Sequence, residues 1–127
     1  HKMFLAKKHN TDFEVWGSGK PLREFIFAKD VAVLTERLLD EYKETDPVIL
    51  STSEEISIRE VVDILVSVFK FKGKVVWNTE KPDGQYKKPT DNSKVKELFP
   101  DFKFTSLKEG LEETIDWFSK NYGQARK

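Results

Sequence analysis

Residues 15–27 read VWGSGKPLREFIF. A Gly-Ser-Gly-Lys run beside a tryptophan suggests a phosphate cradle, and spacing tests two such cradles. A P-loop requires Gly-x-x-x-x-Gly-Lys-Ser/Thr, but Glu14 stands where the first glycine belongs and Pro21 follows Lys20. A dinucleotide fingerprint requires Gly-x-Gly-x-x-Gly, and Leu22 occupies the third glycine position. The run therefore reads as a turn. Before it, Phe13–Trp16 alternates as a strand. After it, Arg23–Phe27 reads as a second strand, with Arg23, Phe25 and Phe27 on one face and Glu24 and Ile26 on the other.

Working outward, each strand is followed by helical punctuation. Asp30 suits the N-cap of a helix whose stripe is Val31, Leu34, Leu38 and Tyr42. Residues 47–51, PVILS, are predicted as a short strand of the buried type. Ser57 and Glu60 have capping-box spacing, Ile56 and Val61 are placed for a hydrophobic staple, and Val62, Leu65 and Phe69 continue the buried face. Strand KVVW (74–77) precedes a loop over about 78–91, a short helix starts near Asn92, and Ser106 with Glu109 opens a last helix to about Asn121. Residues 1–10 carry a basic helical pattern. Short strands alternating with capped helices indicate an α/β fold.

At 127 residues the chain is of single-domain size and can bury a core. Lys+Arg and Asp+Glu both number 22, so no global field draws nucleic acid or an anionic membrane, and any anion site must be a local cluster. The absence of cysteine excludes disulfides, thiolate metal sites and a cysteine nucleophile. No apolar run has the length of a membrane span and no signal peptide is visible, so a cytoplasmic protein is expected. His1 and His9 lack metal-ligand spacing and read as solvated, and no metal is expected. Trp117 and Phe118 read as helix-packing residues.

Two places could carry chemistry. At the start of its strand, Arg23 offers a planar fork suited to a diphosphate, and Trp16 a flat wall beside it; a plain strand connection with a solvated arginine is the alternative. The loop EKPDGQYKKPTDN (80–92) brings an acid that can hold hydroxyls and a cation that can hold phosphate within a few residues. Its alternative is a type I turn at Lys81-Pro82-Asp83-Gly84 with a solvated Lys87–Lys88 pair, although its length favours function.

The motif WGSG-x-P-x-REF, the loop KPDGQYKK, the stretch FPDFKFTSLKEGLEETIDWF and the ending NYGQARK together resemble the GDP-L-fucose synthase family of extended short-chain dehydrogenases/reductases. The resemblance covers essentially the whole chain. The first motif is shared loosely among nucleotide-sugar epimerases and dehydratases, whereas the loop and C-terminal stretch are particular to this family. It implies a GDP-sugar substrate, with Trp16 and Arg23 contacting it, Lys2 reaching the diphosphate, and Asp83 and Lys88 on a loop closing over the same ligand. Lys29 departs from the family's Val-Asp-Asp, so a role for the first acid does not carry over.

The resemblance also implies what other residues must supply. The family's Tyr-x-x-x-Lys is not found, because Asp46, Thr90 and Arg126 follow Tyr42, Tyr86 and Tyr122 by four. The Gly-rich NADP turn and the epimerisation cysteine are not found either. Residues 1–127 are therefore expected to be the C-terminal substrate-binding lobe, with no catalytic and no cofactor-binding residue of their own. NADP would be bound by an N-terminal Rossmann domain of the parent enzyme, itself a homodimer. The alternatives are the same lobe of another nucleotide-sugar epimerase or dehydratase, and a non-catalytic binding module of the same fold.

Overall fold

A computed structural model describes residues 1–126. The elements in order are α1 (Lys2–His9), β1 (Phe13–Trp16), β2 (Leu22–Glu24), α2 (Ala28–Glu41), β3 (Glu55–Ser57), α3 (Ile58–Phe69), β4 (Val75–Asn78), α4 (Ser93–Leu98) and α5 (Leu107–Lys120). β1 pairs with β4 in parallel, Phe13 opposite Val75 through Trp16 opposite Asn78. β2 and β3 pair antiparallel, with Arg23 opposite Ile56. The α/β expectation holds, in two small ladders.

The two capping boxes form as their spacing predicts. The Ser57 and Ser106 hydroxyls accept from the backbone N–H groups of Glu60 and Glu109, whose carboxylates accept in return from the serine N–H groups. These bonds hold both glutamates below the usual carboxylate range. Both helices therefore start at a chemically defined residue, and that fixes where β3 ends and α3 turns away from it.

Two apolar clusters hold the chain together. Met3 and Ala6 of α1 pack with Phe13, Val62, Phe69 and Phe71, joined at the edge by Phe4, Trp77 and Ile115. Leu34, Val95 and Phe99 form the second cluster, with Leu38, Val48, Leu50 and Phe104 around it. Phe4 also stacks on Tyr122 at 4.5 Å between centroids and meets Phe118 edge-on at 5.5 Å. The basic N-terminal helix is thus a structural part of the larger cluster.

Several expectations change. The strand predicted for 23–27 is only Leu22–Glu24, because α2 begins at Ala28 and leaves Phe25–Phe27 as the approach to it. Residues 47–51 are not in a ladder; Val48 and Leu50 turn into the second cluster while Ile49 is exposed, so burial comes from side chains without strand pairing. Asp30 does not cap α2: it is the helix's third residue, buried, and it accepts from the Thr105 N–H and hydroxyl at 2.8 Å each. The carboxylate is spent on Thr105, and α2 starts from its N-cap residue Phe27 without a side-chain cap. Trp117 is mostly exposed, so only Phe118 packs as predicted.

Candidate functional site

The Gly17-Ser18-Gly19 turn is gripped from two sides. Asp83 accepts from the Ser18 N–H at 2.6 Å and from the Ser18 hydroxyl at 2.5 Å. On the other side, the Arg59 guanidinium donates to the Ser18 carbonyl at 2.8 Å and its backbone N–H to the Gly19 carbonyl at 2.9 Å. Arg59 also lies over the Trp77 ring at 4.2 Å, a cation–π contact that steadies it. Both glycines are needed. Gly17 and Gly19 have φ of 86° and 77°, and a Cβ would run into Asp83 at the first and Trp77 at the second.

From that turn the long loop is laid along β2. Ser18 meets Asp83, the Leu22 N–H donates to the Tyr86 carbonyl at 2.8 Å, and Glu24 accepts from the Thr90 N–H at 2.8 Å and from its hydroxyl. Lys87 adds an ion pair to Glu55 of β3 at 2.6 Å, and the Thr90 hydroxyl donates to Ser51 at 2.6 Å. The expected Lys81–Gly84 turn is displaced: the Lys81 N–H returns to the Asn78 carbonyl at 3.3 Å, closing the turn three residues earlier, directly off β4. Residues 82–90 are thereby freed to run beside β2.

The predicted site residues fall into two groups. Lys2, at the start of α1, places its ammonium over the exposed Trp16 ring at 4.4 Å. Lys81 reaches the same ring at 5.4 Å. Arg23 donates to the Leu22 carbonyl at 2.5 Å, with its second terminal nitrogen beside Gly84. Arg23 and Lys88, far apart in sequence, line one open cavity of about 230 Å³ with Glu24, Phe25, Ser51 and Thr90. Lys88 has no hydrogen-bond or ion-pair partner among the described residues. Asp83 joins the two groups through Ser18.

The electrostatics follow from these bonds. The Ser18 hydroxyl and N–H hold the Asp83 carboxyl below its ordinary value, with nearby Lys20 adding a smaller push the same way. The Thr90 hydroxyl does the same for Glu24 against its desolvation, and Glu55 raises Lys87. At neutral pH both acids are charged and bonded, which leaves Arg23 on the cavity and the exposed lysines, Lys2, Lys81 and Lys88 among them, to meet an anion.

A curated GDP-L-fucose synthase of Dictyostelium discoideum is 45% identical over all of this chain. The chain is a homologue of the GDP-L-fucose synthases. A probable family member from Drosophila melanogaster is 42% identical over 91% of the chain. The crystal structure of a GDP-L-fucose synthetase from Naegleria fowleri bound to NADP superposes with a TM-score of 0.96 at 41% identity, covering all of this chain. The NAD dependent epimerase/dehydratase family profile matches residues 2–51. A dTDP-glucose 4,6-dehydratase from Bacillus anthracis, 18% identical with a TM-score of 0.79, shares the fold. The fold is therefore that of the extended short-chain dehydrogenases/reductases. The chain spans about 40% of the length of the first of these relatives and of the solved synthetase.

Some residues of this site were not legible in the sequence. Ser18, Arg59 and Lys81 stand at its centre, yet Arg59 lies 41 positions from the serine it holds. Neither spacing nor residue type marks Arg59 in SIRE as anything but a solvated helix residue. A usable signal was the pairing of a Gly-Ser-Gly turn, rich in backbone donors and acceptors, with an acid set between Pro82 and Gly84 in a long loop.

Proposed function

We propose that residues 1–127 are the substrate-binding lobe of a GDP-L-fucose synthase, and that they hold the GDP-sugar. The observation that carries this is the convergence of Arg23 and Lys88 on one cavity, with the Trp16 ring, flanked by Lys2 and Lys81, seven residues before Arg23 in the chain. Arginine grips a diphosphate in bidentate fashion while lysine acts as a point charge, so the pair suits two neighbouring phosphoryl groups. Trp16 offers a flat surface beside them. Asp83 and Lys88 belong to the loop that closes over the ligand.

The whole protein then converts GDP-4-keto-6-deoxy-D-mannose to GDP-L-fucose by 3,5-epimerisation and NADPH-dependent 4-reduction. The residues here do not fit a dinucleotide: the Gly17–Gly19 turn leads into β2, with no helix N-terminus aimed at a pyrophosphate. We place NADP on an N-terminal Rossmann domain of the parent enzyme and assign this lobe the task of orientation, since binding energy remote from the reacting carbons positions them. A cytoplasmic homodimer fits the same reading, and no helix among the described residues is long and apolar enough to cross a membrane. Calorimetric titration of the full-length protein with GDP tests it. Saturable binding that Arg23→Ala and Lys88→Ala each weaken supports the assignment, and unchanged affinity in both variants refutes it.

A further inference from the structure

Glu24 of β2 and Glu55 of β3 stand directly opposite each other in the antiparallel ladder. Opposed residues of a ladder share a face, and like charges there are destabilising unless each is matched. Their partners both come from the long loop. Lys87 pairs with Glu55 at 2.6 Å, and Thr90 donates to Glu24 from its hydroxyl and, at 2.8 Å, from its N–H. Thr90 is tied in further. The Ser53 hydroxyl donates to its carbonyl at 3.2 Å, and the buried Ser51 hydroxyl stands 2.6 Å from the Thr90 hydroxyl. The Oε1 atom of Glu55 is buried with no hydrogen-bond partner among the described residues, so this acid is kept at a cost.

The two bonded loop residues bracket Lys88, one position before it and two after it. Pro89 fills the remaining position and fixes φ there. Lys88 itself, unpaired among the described residues, lines the cavity with Arg23, the chain neighbour of Glu24. The opposed acids thus hold the backbone on either side of the cavity's lysine.

We propose that Glu24 and Glu55 are positioning residues, which clasp the loop at Thr90 and Lys87 and so set Lys88 where, with Arg23, it meets a nucleoside diphosphate. The proposal rests on the diphosphate reading of that cavity and deepens it. A lysine carries its charge on a flexible stem, so the charge is useful at one point only if the backbone beneath it is fixed. A cation site ordered before the ligand arrives spares the complex that ordering cost. The acids work against their own electrostatics: a carboxylate near a diphosphate opposes it by charge and helps only through what it places. That opposition gives the test its sign.

Calorimetry of the full-length protein, with GDP as the probe, compares Glu24→Gln, Glu55→Gln and Thr90→Val. Were the acids bystanders, neutralising either would leave GDP binding unchanged or tighten it. The clasp predicts the reverse, a loss of about fivefold in each of the three variants. Thr90→Ser, which keeps the hydroxyl, and Lys87→Arg, which keeps the ion pair, should bind GDP as the unaltered protein does. In a Lys88→Ala background none of the three should weaken GDP further, because the group they place is gone. Thr90→Val alters an exposed residue, so it reads the clasp even where an acid variant fails to fold. Losses that persist in the Lys88→Ala background would show that the clasp acts on something other than Lys88, and overturn the proposal. So would unchanged or tighter binding in all three variants while Arg23→Ala and Lys88→Ala bind weakly, an outcome that leaves the diphosphate reading standing. Unchanged affinity in both Arg23→Ala and Lys88→Ala would sink that reading and this one with it.

Discussion

At the residue scale, Arg23 and Asp30 show two uses of a charged side chain. Arg23 donates once to its own strand and presents the rest of its fork to a cavity that Lys88 shares. Arg23→Ala should weaken GDP binding by the full-length protein by about 1.5–3 kcal/mol, the scale of hydrogen bonds to a charged group. Arg23→Lys should recover only part of it, because an ammonium cannot reproduce the fork. Asp30 is buried and wholly occupied with Thr105, linking α2 to the segment before α5. Asp30→Ala leaves the Thr105 N–H without its acceptor, and should destabilise the chain by about 2 kcal/mol in urea unfolding. Lys29, beside it, is used on the surface in an ion pair with Glu113.

At the element scale, the helices and the loop respond to different perturbations. Ser57→Ala or Ser106→Ala removes one half of a capping box and should cost about 1 kcal/mol, read as a shift of the urea midpoint. The loop answers to pH. Asp83 and Glu24 have folded values below their ordinary 3.8 and 4.5, so the bonds they make add stability at all pH above those values. That contribution is lost only as pH falls through the lowered folded values. Hydrogen exchange over 82–90, corrected for intrinsic rates, should therefore be flat from neutral pH down to about 5 and rise below about 4, in step with loss of GDP binding. Loosening that begins near pH 6 would show that some other group holds the loop.

At the scale of the whole molecule, α1 belongs to the same core as α3. Met3 is 3% exposed against Val62 and Phe69, and Phe4 packs on Phe118 and Tyr122. Amides of α1 should accordingly exchange about as slowly as those of α3, since one cluster must open to release either. Fast exchange in α1 with a protected α3 would show that the helix is only loosely attached. Residues 1–127 should also show no stoichiometric NADPH binding in calorimetry, because their glycine turn is filled by Asp83 and Trp77.

The local chemistry of the chain was legible residue by residue. Ser-x-x-Glu wrote both capped helices, alternation wrote β1, and the failed glycine spacings excluded two phosphate cradles, because each depends on neighbours within a few positions. The motifs WGSG, REF and KPDGQYKK pointed to Trp16, Arg23, Asp83 and Lys88 through the family resemblance they carry. What those residues do to one another was decided only by the tertiary structure. Asp83 meets Ser18 across 65 positions, Arg59 meets it across 41, and Asp30 trades its expected cap for Thr105 across 75. Residues 47–51 bury Val48 and Leu50 without a ladder for a related reason. A hydrogen-bonding group takes whatever partner the fold brings within 3 Å or so, and distance along the chain places no limit on which partner that is.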